Sequence, residues 1–242
     1  MQSFIPRKNL TSSETSILDG VISQLATKGY AKTTIGELST LLGISKGLVH
    51  YHFSSKEILL QETIAYIYAD ARRFMEQQVW QTNDSWEQIR TFINVSCEYY
   101  ADHGESIKAL QEIRANFKPR QTISLAEAFG DRELEDLKSV LVAGQESGIF
   151  RHFDTAFAAL LLRMSLNGAS QRILASPEPK QEAALCATEL VAMFYRAWKS
   201  LPEATESKQL ICTLGSMGVS SNNSHYFLYD NLSSHCRKWS RF

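Results

Sequence analysis

The sequence predicts an all-α protein in which a three-helix domain at the amino terminus precedes a larger helical domain. Apolar residues recur with the period of a helix face from the first segment onward. Up to residue 202, no segment shows the sustained alternation or the enrichment in β-branched residues that is typical of strands. We therefore expect domains at 1–56 and 57–202, followed by an atypical tail at 203–242.

The composition is that of a globular protein and gives no sign of a membrane span, a cofactor or a metal centre. Of 242 residues, 44% are apolar and 21% are charged, enough to bury one large core or two modest ones. The longest strongly apolar run, 156–162, is far shorter than the roughly 20 residues that span a bilayer, so we expect a soluble cytoplasmic protein. Four cysteines lie far apart without CxxC spacing and are expected to be reduced thiols: Cys97, Cys186, Cys212 and Cys236.

The charge is unevenly distributed along the chain. Residues 1–56 carry six Lys or Arg against three Asp or Glu, whereas residues 57–202 carry 15 against 20. A basic head on an acidic body suggests that the head meets a polyanion such as DNA. A small excess of positive charge is also compatible with an ordinary solvated surface.

The first two helices are predicted from apolar faces and capping residues. Helix one is expected over residues 12–28, with Thr11 and Glu14 as a capping box at its start and Gly29 at its end. A second box, Thr34 with Glu37, opens a short helix. Its apolar positions have helical spacing: Ile35, Leu38, Leu41 and Leu42.

The third helix begins just after Gly43, with Ser45 as its N-cap, and the Ser54–Glu57 capping box starts the fourth. Two short helices joined by a glycine turn and braced by a longer helix form a helix-turn-helix. Val49 and Phe53 are four residues apart and face inward. The outward surface is small and polar: Lys46, Gly47, His50 and Tyr51. Such a surface at the start of a short helix fits the major groove of DNA.

The segment TTIGELSTLLGISKGLVHYHFSSKEILL resembles the DNA-binding domain of the tetracycline-repressor (TetR) family of bacterial transcriptional regulators. The third and fourth helices of that family commonly read S-K-G-x-L-Y-x-H-F-x-x-K-E-x-L, and the resemblance covers about residues 10–60. His50 replaces a frequent tyrosine and Val49 a usual leucine. The first difference is expected to alter base preference and the second only the packing.

The resemblance implies which residues meet DNA. Ser45, Lys46, Gly47 and His50 correspond to positions that approach bases, and Thr34, Tyr51, His52 and Lys56 to positions that hold phosphates. A cation in the first turn of a helix interacts unfavourably with the helix dipole. A contact with a phosphate would explain why Lys56 occupies that position. In the alternative interpretation, Ser45 and Thr34 serve only as N-caps, and His52 is a packed ring that contacts no phosphate.

Six further helices are predicted in the body. The first, about 30 Å long, would link the head to the second domain. Asp154 is expected to cap the helix that follows the turn at Gly148. The predicted ranges are 57–78, 85–102, 105–117, 124–147, 155–175 and 180–201.

The last two helices are apolar over more than one face, which is a larger apolar surface than a single core requires. In the TetR family such helices pair with those of a second subunit as a four-helix bundle, so a homodimer is expected. A monomer with deep burial is the alternative. The candidate interface residues are Ala159, Ser165, Gly168, Ala169, Leu190, Met193, Phe194 and Ala197.

A small-molecule effector of unknown identity is implied by the same resemblance. The candidate pocket residues are Phe92, Tyr99, Tyr100, Arg114, Phe117, Phe129, Met164 and Asn167. Aromatic residues and methionine at helical spacing belong to an ordinary core more often than to a pocket.

The tail at 203–242 is rich in serine and continues no helical face. We expect either a flexible extension or the product of a shifted reading frame. Zinc binding here is not predicted, because Cys212, His225, His235 and Cys236 lack the spacing of ligand pairs.

The leading interpretation is a homodimeric repressor that a ligand releases from a near-palindromic operator in double-stranded DNA. An architectural DNA-binding protein without a ligand is an alternative, but sequence-independent binding depends on phosphate neutralisation and the head has few excess cations. An all-α enzyme is a third reading, with Cys97, His103 and Glu105 as weak candidates; no spacing among them has a mechanistic meaning, and no enzyme activity is predicted.

Overall fold

The computed structural model describes residues 9–76, 78–116 and 131–199, and this part of the chain confirms the all-α prediction. It holds nine α-helices and, apart from one isolated bridge between Phe150 and Lys199, no β-pairing. The pocket candidates Phe117 and Phe129 and the tail 203–242 lie outside these residues. The helices are α1 Ser12–Lys28, α2 Ile35–Leu42, α3 Lys46–His52, α4 Lys56–Glu76, α5 Ser85–Asp102, α6 Gly104–Asn116, α7 Asp131–Glu146, α8 Thr155–Ala175 and α9 Pro179–Trp198. None of the described helices is both long and apolar enough to cross a membrane.

The predicted capping box at the start of α1 is confirmed. The Thr11 hydroxyl accepts the backbone N–H of Glu14 (3.2 Å), and the Glu14 carboxylate accepts the backbone N–H of Thr11 (2.9 Å). Gly29 ends the helix with a φ of 76°, a value that side-chain-bearing residues adopt only with strain. These local signals place both ends of α1 where the sequence predicts them.

The turn between α2 and α3 also follows the prediction. Thr34 accepts the backbone N–H of Glu37 (3.1 Å), while the Glu37 carboxylate lies 3.6 Å from Lys28. Gly43 adopts the left-handed conformation with a φ of 65°, and the Ser45 hydroxyl accepts the backbone N–H of Leu48 (3.1 Å). The glycine therefore reverses the chain between the two helices of the helix-turn-helix.

The predicted Ser54–Glu57 box is wrong by one residue. The hydroxyl that caps α4 belongs to Ser55, which accepts the backbone N–H of Ile58 (3.1 Å). Adjacent serines offer the same capping chemistry, and the packing of Phe53, which is fully buried, decides between them by fixing where α3 ends. As a result α4 begins at Lys56.

Buried apolar side chains form two clusters. The head cluster combines α1–α4 with Ala109, Leu110 and Ile113 of α6. The body cluster joins α5, α7, α8 and α9 and includes the ring of Phe150. A Cβ at Gly144 would lie 2.1 Å from that ring, so the close approach of α7 to the loop before α8 needs a glycine here. Helix α6 packs into the core of the head although it follows the predicted boundary at residue 56.

Candidate nucleic-acid interface and ligand cavity

The exposed side of α3 has the polar surface that the sequence predicts. Val49 and Phe53 are fully buried against the head cluster, and they fix the orientation of the helix. The residues on the opposite side are exposed: Ser45, Lys46, Gly47, His50 and Tyr51. Tyr51 is 83% exposed, which is far more than a tyrosine that serves only packing. The first turn of α3 therefore presents an exposed, polar surface to solvent.

Lys46 lies closer to α2 than its position on α3 suggests. A Cβ at Gly36, in the first turn of α2, would be 3.4 Å from the Lys46 Nζ. An ammonium group beside a helix amino terminus is electrostatically unfavourable unless an anion lies nearby. This position suits a phosphate contact as well as the base contact implied by the family resemblance.

The four side chains predicted to contact phosphate differ in their surroundings. Thr34 is exposed and caps α2. Lys56 places its Nζ 4.4 Å from the centre of the Tyr30 ring, and burial lowers the pKa of this amine. A cation–π contact thus offers a second reason for a cation at the start of α4. Tyr51 has a ring contact with His52, but most of its surface faces solvent.

His52 is held more tightly than the other members of this set. Its side chain is 13% exposed, and its Nδ1 lies 3.6 Å from Oε1 of Glu14. Its ring also packs edge-on against Tyr51. The interpretation of His52 as a packed ring agrees with this placement, and its predicted phosphate contact would have to use the small exposed edge.

A cavity of about 440 Å³ lies among α4, α5, α6, α7 and α8. Five of the predicted pocket residues line it: Phe92, Tyr99, Tyr100, Arg114 and Asn167. Met164 does not, because it is 58% exposed on the outer side of α8, and its assignment to the pocket is corrected. Helix α6 contributes Leu110 and Arg114 to the wall, so one helix contacts both the cavity and the head cluster.

The polar centre of the cavity is the hydroxyl of Tyr68, which sequence reasoning missed. Arg163 donates to this oxygen from Nη2 (3.0 Å), and Arg114 donates to it from its own Nη2. Nη1 of Arg114 donates to Oδ1 of Asn167 (3.4 Å), and Nη1 of Arg163 lies 3.9 Å from Oε2 of Glu133. Burial raises the pKa of the Glu133 carboxyl, while Arg163 and Arg114 oppose that rise.

Two tyrosines of the wall are kept as neutral phenols. Burial raises the pKa of Tyr99, whose hydroxyl donates to Oδ2 of Asp70 (2.9 Å). Burial likewise raises the pKa of Tyr100. Both phenols therefore act in the cavity as hydrogen-bonding groups with apolar rings, without charge.

The interface candidates on α8 and α9 divide into two groups. Ala159, Ala169 and Phe194 are buried in the body cluster, so they have almost no surface to give to a second subunit, and their assignment is corrected. Ser165 and Leu190 are half-buried, whereas Gly168, Met193 and Ala197 are exposed. Exposed large apolar side chains on α8 and α9 form a surface that we call the outer face: Phe157, Leu160, Leu161, Met164, Leu185 and Met193. Phe157, Leu160, Leu161 and Leu185 are not among the sequence-predicted candidates.

The weak catalytic candidates do not assemble a reactive group. Cys97 is buried, and burial raises the pKa of its thiol to about 12, the opposite of what a nucleophilic thiolate needs. The His103 ring stacks on Tyr99, with Nε2 3.8 Å from Oδ2 of Asp70, while Glu105 is exposed. Among the described residues, no group of three or more His, Cys, Asp or Glu could hold a metal ion.

Comparison with known sequences finds similarity to bacterial regulators. Residues 17–63 match the sequence model of the bacterial regulatory proteins of the tetR family. The HTH-type transcriptional repressor NicS of Pseudomonas putida is 25% identical over 138 residues, 56% of this chain and 65% of that one. The uncharacterized HTH-type regulator YerO of Bacillus subtilis is 46% identical over 50 residues, 21% of this chain and 17% of its own. The chain thus matches less than two thirds of the length of either relative.

Solved structures share the fold over most of the described helices. The ketosteroid transcriptional regulator KstR2 of Mycobacterium tuberculosis superposes with a TM-score of 0.63 at 18% identity, covering 80% of this chain and 98% of that one. A protein from Saccharomonospora viridis, solved in complex with choline, gives a TM-score of 0.67 at 18% identity, covering 79% and 100%. At this level of identity the likeness is one of fold.

Proposed function

We propose that the chain, which belongs to the tetR family of bacterial regulatory proteins by its amino-terminal domain, is a sequence-specific DNA-binding transcriptional repressor. The observation that carries the proposal is the exposed, polar first turn of α3, held in place by the buried side chains of Val49 and Phe53. Helix-turn-helix proteins read base edges with this part of their second helix.

In this proposal the residues at the start of α3 read the bases and their neighbours hold the backbone. Ser45, Lys46, Gly47 and His50 approach base edges in the major groove. Thr34, Tyr51 and Lys56 hold phosphates, with His52 at the margin of this set because little of its ring is exposed. Phosphate contacts position the protein, whereas base contacts provide its specificity.

We further propose a homodimer formed through the outer face of α8 and α9. Phe157, Met164 and Met193 are each more than half exposed, and an apolar surface of this kind favours a protein partner. A twofold dimer would present two copies of α3 to half-sites about 34–36 Å apart, so the operator would be near-palindromic.

The cavity is the proposed effector site, and binding there would release the DNA. The support is the shared helix α6, whose Leu110 both lines the cavity and packs in the head cluster. A ligand changes DNA affinity only if it binds the two arrangements of the heads with different free energies. Expansion or contraction of the cavity around α6 is a physical way to create that difference.

The proposal is tested by selecting bound sequences from random duplex DNA with the purified full chain. We expect enrichment of a near-palindrome, and tight binding of the selected sequence with a strong salt dependence. Enrichment of a single asymmetric half-site would contradict the dimer. A folded protein that enriches no sequence would contradict sequence-specific recognition and favour the architectural alternative.

A further inference from the structure

We propose that the cavity binds a small organic monoanion, a carboxylate on an apolar body, whose anionic group lies beside the Tyr68 hydroxyl and is held by Arg114 and Arg163. This inference rests on the proposed function in taking the cavity as the effector site. It adds the chemical class of the effector.

Two guanidinium groups converge on one neutral oxygen. Arg163 and Arg114 both donate to the Tyr68 hydroxyl. A phenol oxygen is a weak acceptor for two cations, whereas a carboxylate has two oxygens and can accept from both forks while the phenol donates to it. An anion beside Tyr68 would therefore replace contacts with a neutral acceptor by ion pairs in which both partners are charged.

Among the described residues the cavity wall holds three arginines (Arg72, Arg114 and Arg163) and three carboxylates (Glu76, Glu133 and Asp136), but the arginines differ in their acidic neighbours. Arg72, one turn along α4, has two carboxylate partners, Glu76 and Asp136. Arg163 has Glu133 at 3.9 Å. Arg114 has only neutral acceptors at hydrogen-bond distance within the described part of the chain: the Tyr68 hydroxyl and Asn167. A ligand with one negative charge beside Tyr68 would therefore give Arg114 a charged acceptor.

The rest of the wall suits an apolar body. Phe92, Ile107, Leu110, Leu137 and Leu166 line the cavity, whose volume of about 440 Å³ is within the range of small-molecule sites. Burial of a hydrocarbon chain against these residues would supply most of the affinity, and the arginines would set the polarity of the head group.

A cationic ligand is the main rival, because three tyrosines and Glu133 line the same space. Its positive charge would lie close to Arg114 and Arg163, which both donate to the Tyr68 hydroxyl. Like charges at such short range repel strongly where water is partly excluded. The arrangement therefore disfavours a cation at this end of the cavity.

The test compares probes with one body and different head groups by isothermal titration calorimetry of the full chain at pH 7. Octanoate, octanol and octylammonium form the first set, and 3-phenylpropanoate and 3-phenylpropanol repeat the comparison with an aromatic body. We expect each carboxylate to bind at least about tenfold more tightly than its alcohol, with octylammonium weakest.

Variants then assign the preference to the arginines. Arg114→Gln should abolish most of the preference for the carboxylate, and Arg114→Lys should retain part of it, because the charge remains without the fork. Arg172→Gln is the matched control, since it removes an exposed guanidinium from α8 outside the cavity. Arg114 is itself exposed, so its replacement is not expected to prevent folding.

Four results would each overturn the proposal: equal binding of acid and alcohol, stronger binding of octylammonium, an undiminished preference for the carboxylate in Arg114→Gln, and no binding by either carboxylate. Selection of DNA with the same preparations separates this failure from that of the proposed function. A selected palindrome without carboxylate binding leaves the regulator and removes the ligand class. Carboxylate binding without selection of any DNA sequence keeps the ligand class and removes the proposed regulator.

Discussion

The carboxylate of Glu112 on α6 accepts the backbone N–H of Tyr30 with its Oε2 at 2.9 Å, and this hydrogen bond ties the body helix to the turn that precedes α2. The bond lies close to Gly29, where a Cβ would be 3.4 Å from the same Oε2. Since α6 also lines the cavity, the contact is a direct physical link between the cavity and the helix-turn-helix.

Glu112→Ala should lower the free energy of unfolding by about 1 kcal/mol, because the Tyr30 N–H loses a charged acceptor at a partly buried site. In the proposed regulator it should also weaken the effect of any cavity ligand on DNA affinity. Urea denaturation measures the first effect and DNA titration with ligand the second. Lys108→Ala, an exposed change in the middle of the same helix, is the control and should leave both unchanged.

His50→Ala and Lys46→Ala should each reduce discrimination between the selected operator and random DNA, by about 1–3 kcal/mol for a good base contact. Competition binding at fixed salt provides the ratio of affinities. A Lys46 variant that loses affinity for both DNAs equally would show that its position beside Gly36 serves a phosphate. Lys108→Ala, an exposed change in the body, is the charge control.

Lys56→Ala should weaken binding to operator and random DNA alike and reduce the slope of log affinity against log salt by about one. The reason is the loss of one phosphate contact, which carries no sequence information. Binding curves at four or more salt concentrations measure the slope. An effect confined to the operator, with an unchanged slope, would place Lys56 among the base-reading residues or leave it only its contact with Tyr30.

Sequence reasoning succeeds where the determinants are local. The ends of α1 and α5, and the Asp154 cap of α8, follow from capping residues and apolar periodicity within a few positions. It fails where neighbouring positions offer the same chemistry, as with Ser54 and Ser55, and tertiary packing makes the choice.

The cavity shows a second limit of prediction from sequence. Met164 was predicted to line it, but the adjacent Arg163 does so, because one residue along a helix turns the side chain by about 100°. The signal for Arg163 was present: it lies four residues after Ala159 and three before Leu166, both on the buried face of α8. Tyr68 left no comparable signal, since its role depends on arginines 46 and 95 residues away.

The free energy of unfolding of the Glu133→Gln variant should increase relative to that of the wild type as the pH rises. Burial raises the folded-state pKa of Glu133 above its unfolded value, so its contribution to stability is fully present below the unfolded pKa. That contribution is lost as the pH rises through the folded pKa, whereas glutamine does not titrate. Urea denaturation between pH 4 and pH 8 measures the difference. A difference that falls with pH would mean that the ion pair with Arg163 outweighs burial.

Met164→Glu and Met193→Glu should each dissociate the proposed dimer. Both side chains are more than half exposed on the outer face of α8 and α9, and a carboxylate there would be buried next to apolar groups of a second subunit. Loss of a central apolar contact and burial of a charge together should cost about 2 kcal/mol or more of association free energy, and sedimentation equilibrium measures that cost. Val142→Glu places the same charge at a partly exposed position on α7 and should leave association unchanged.

Because two half-sites must be bound together, the Met164→Glu and Met193→Glu variants should also lose operator affinity at protein concentrations where they are monomeric. Full affinity of a monomeric variant would show that one copy of α3 suffices.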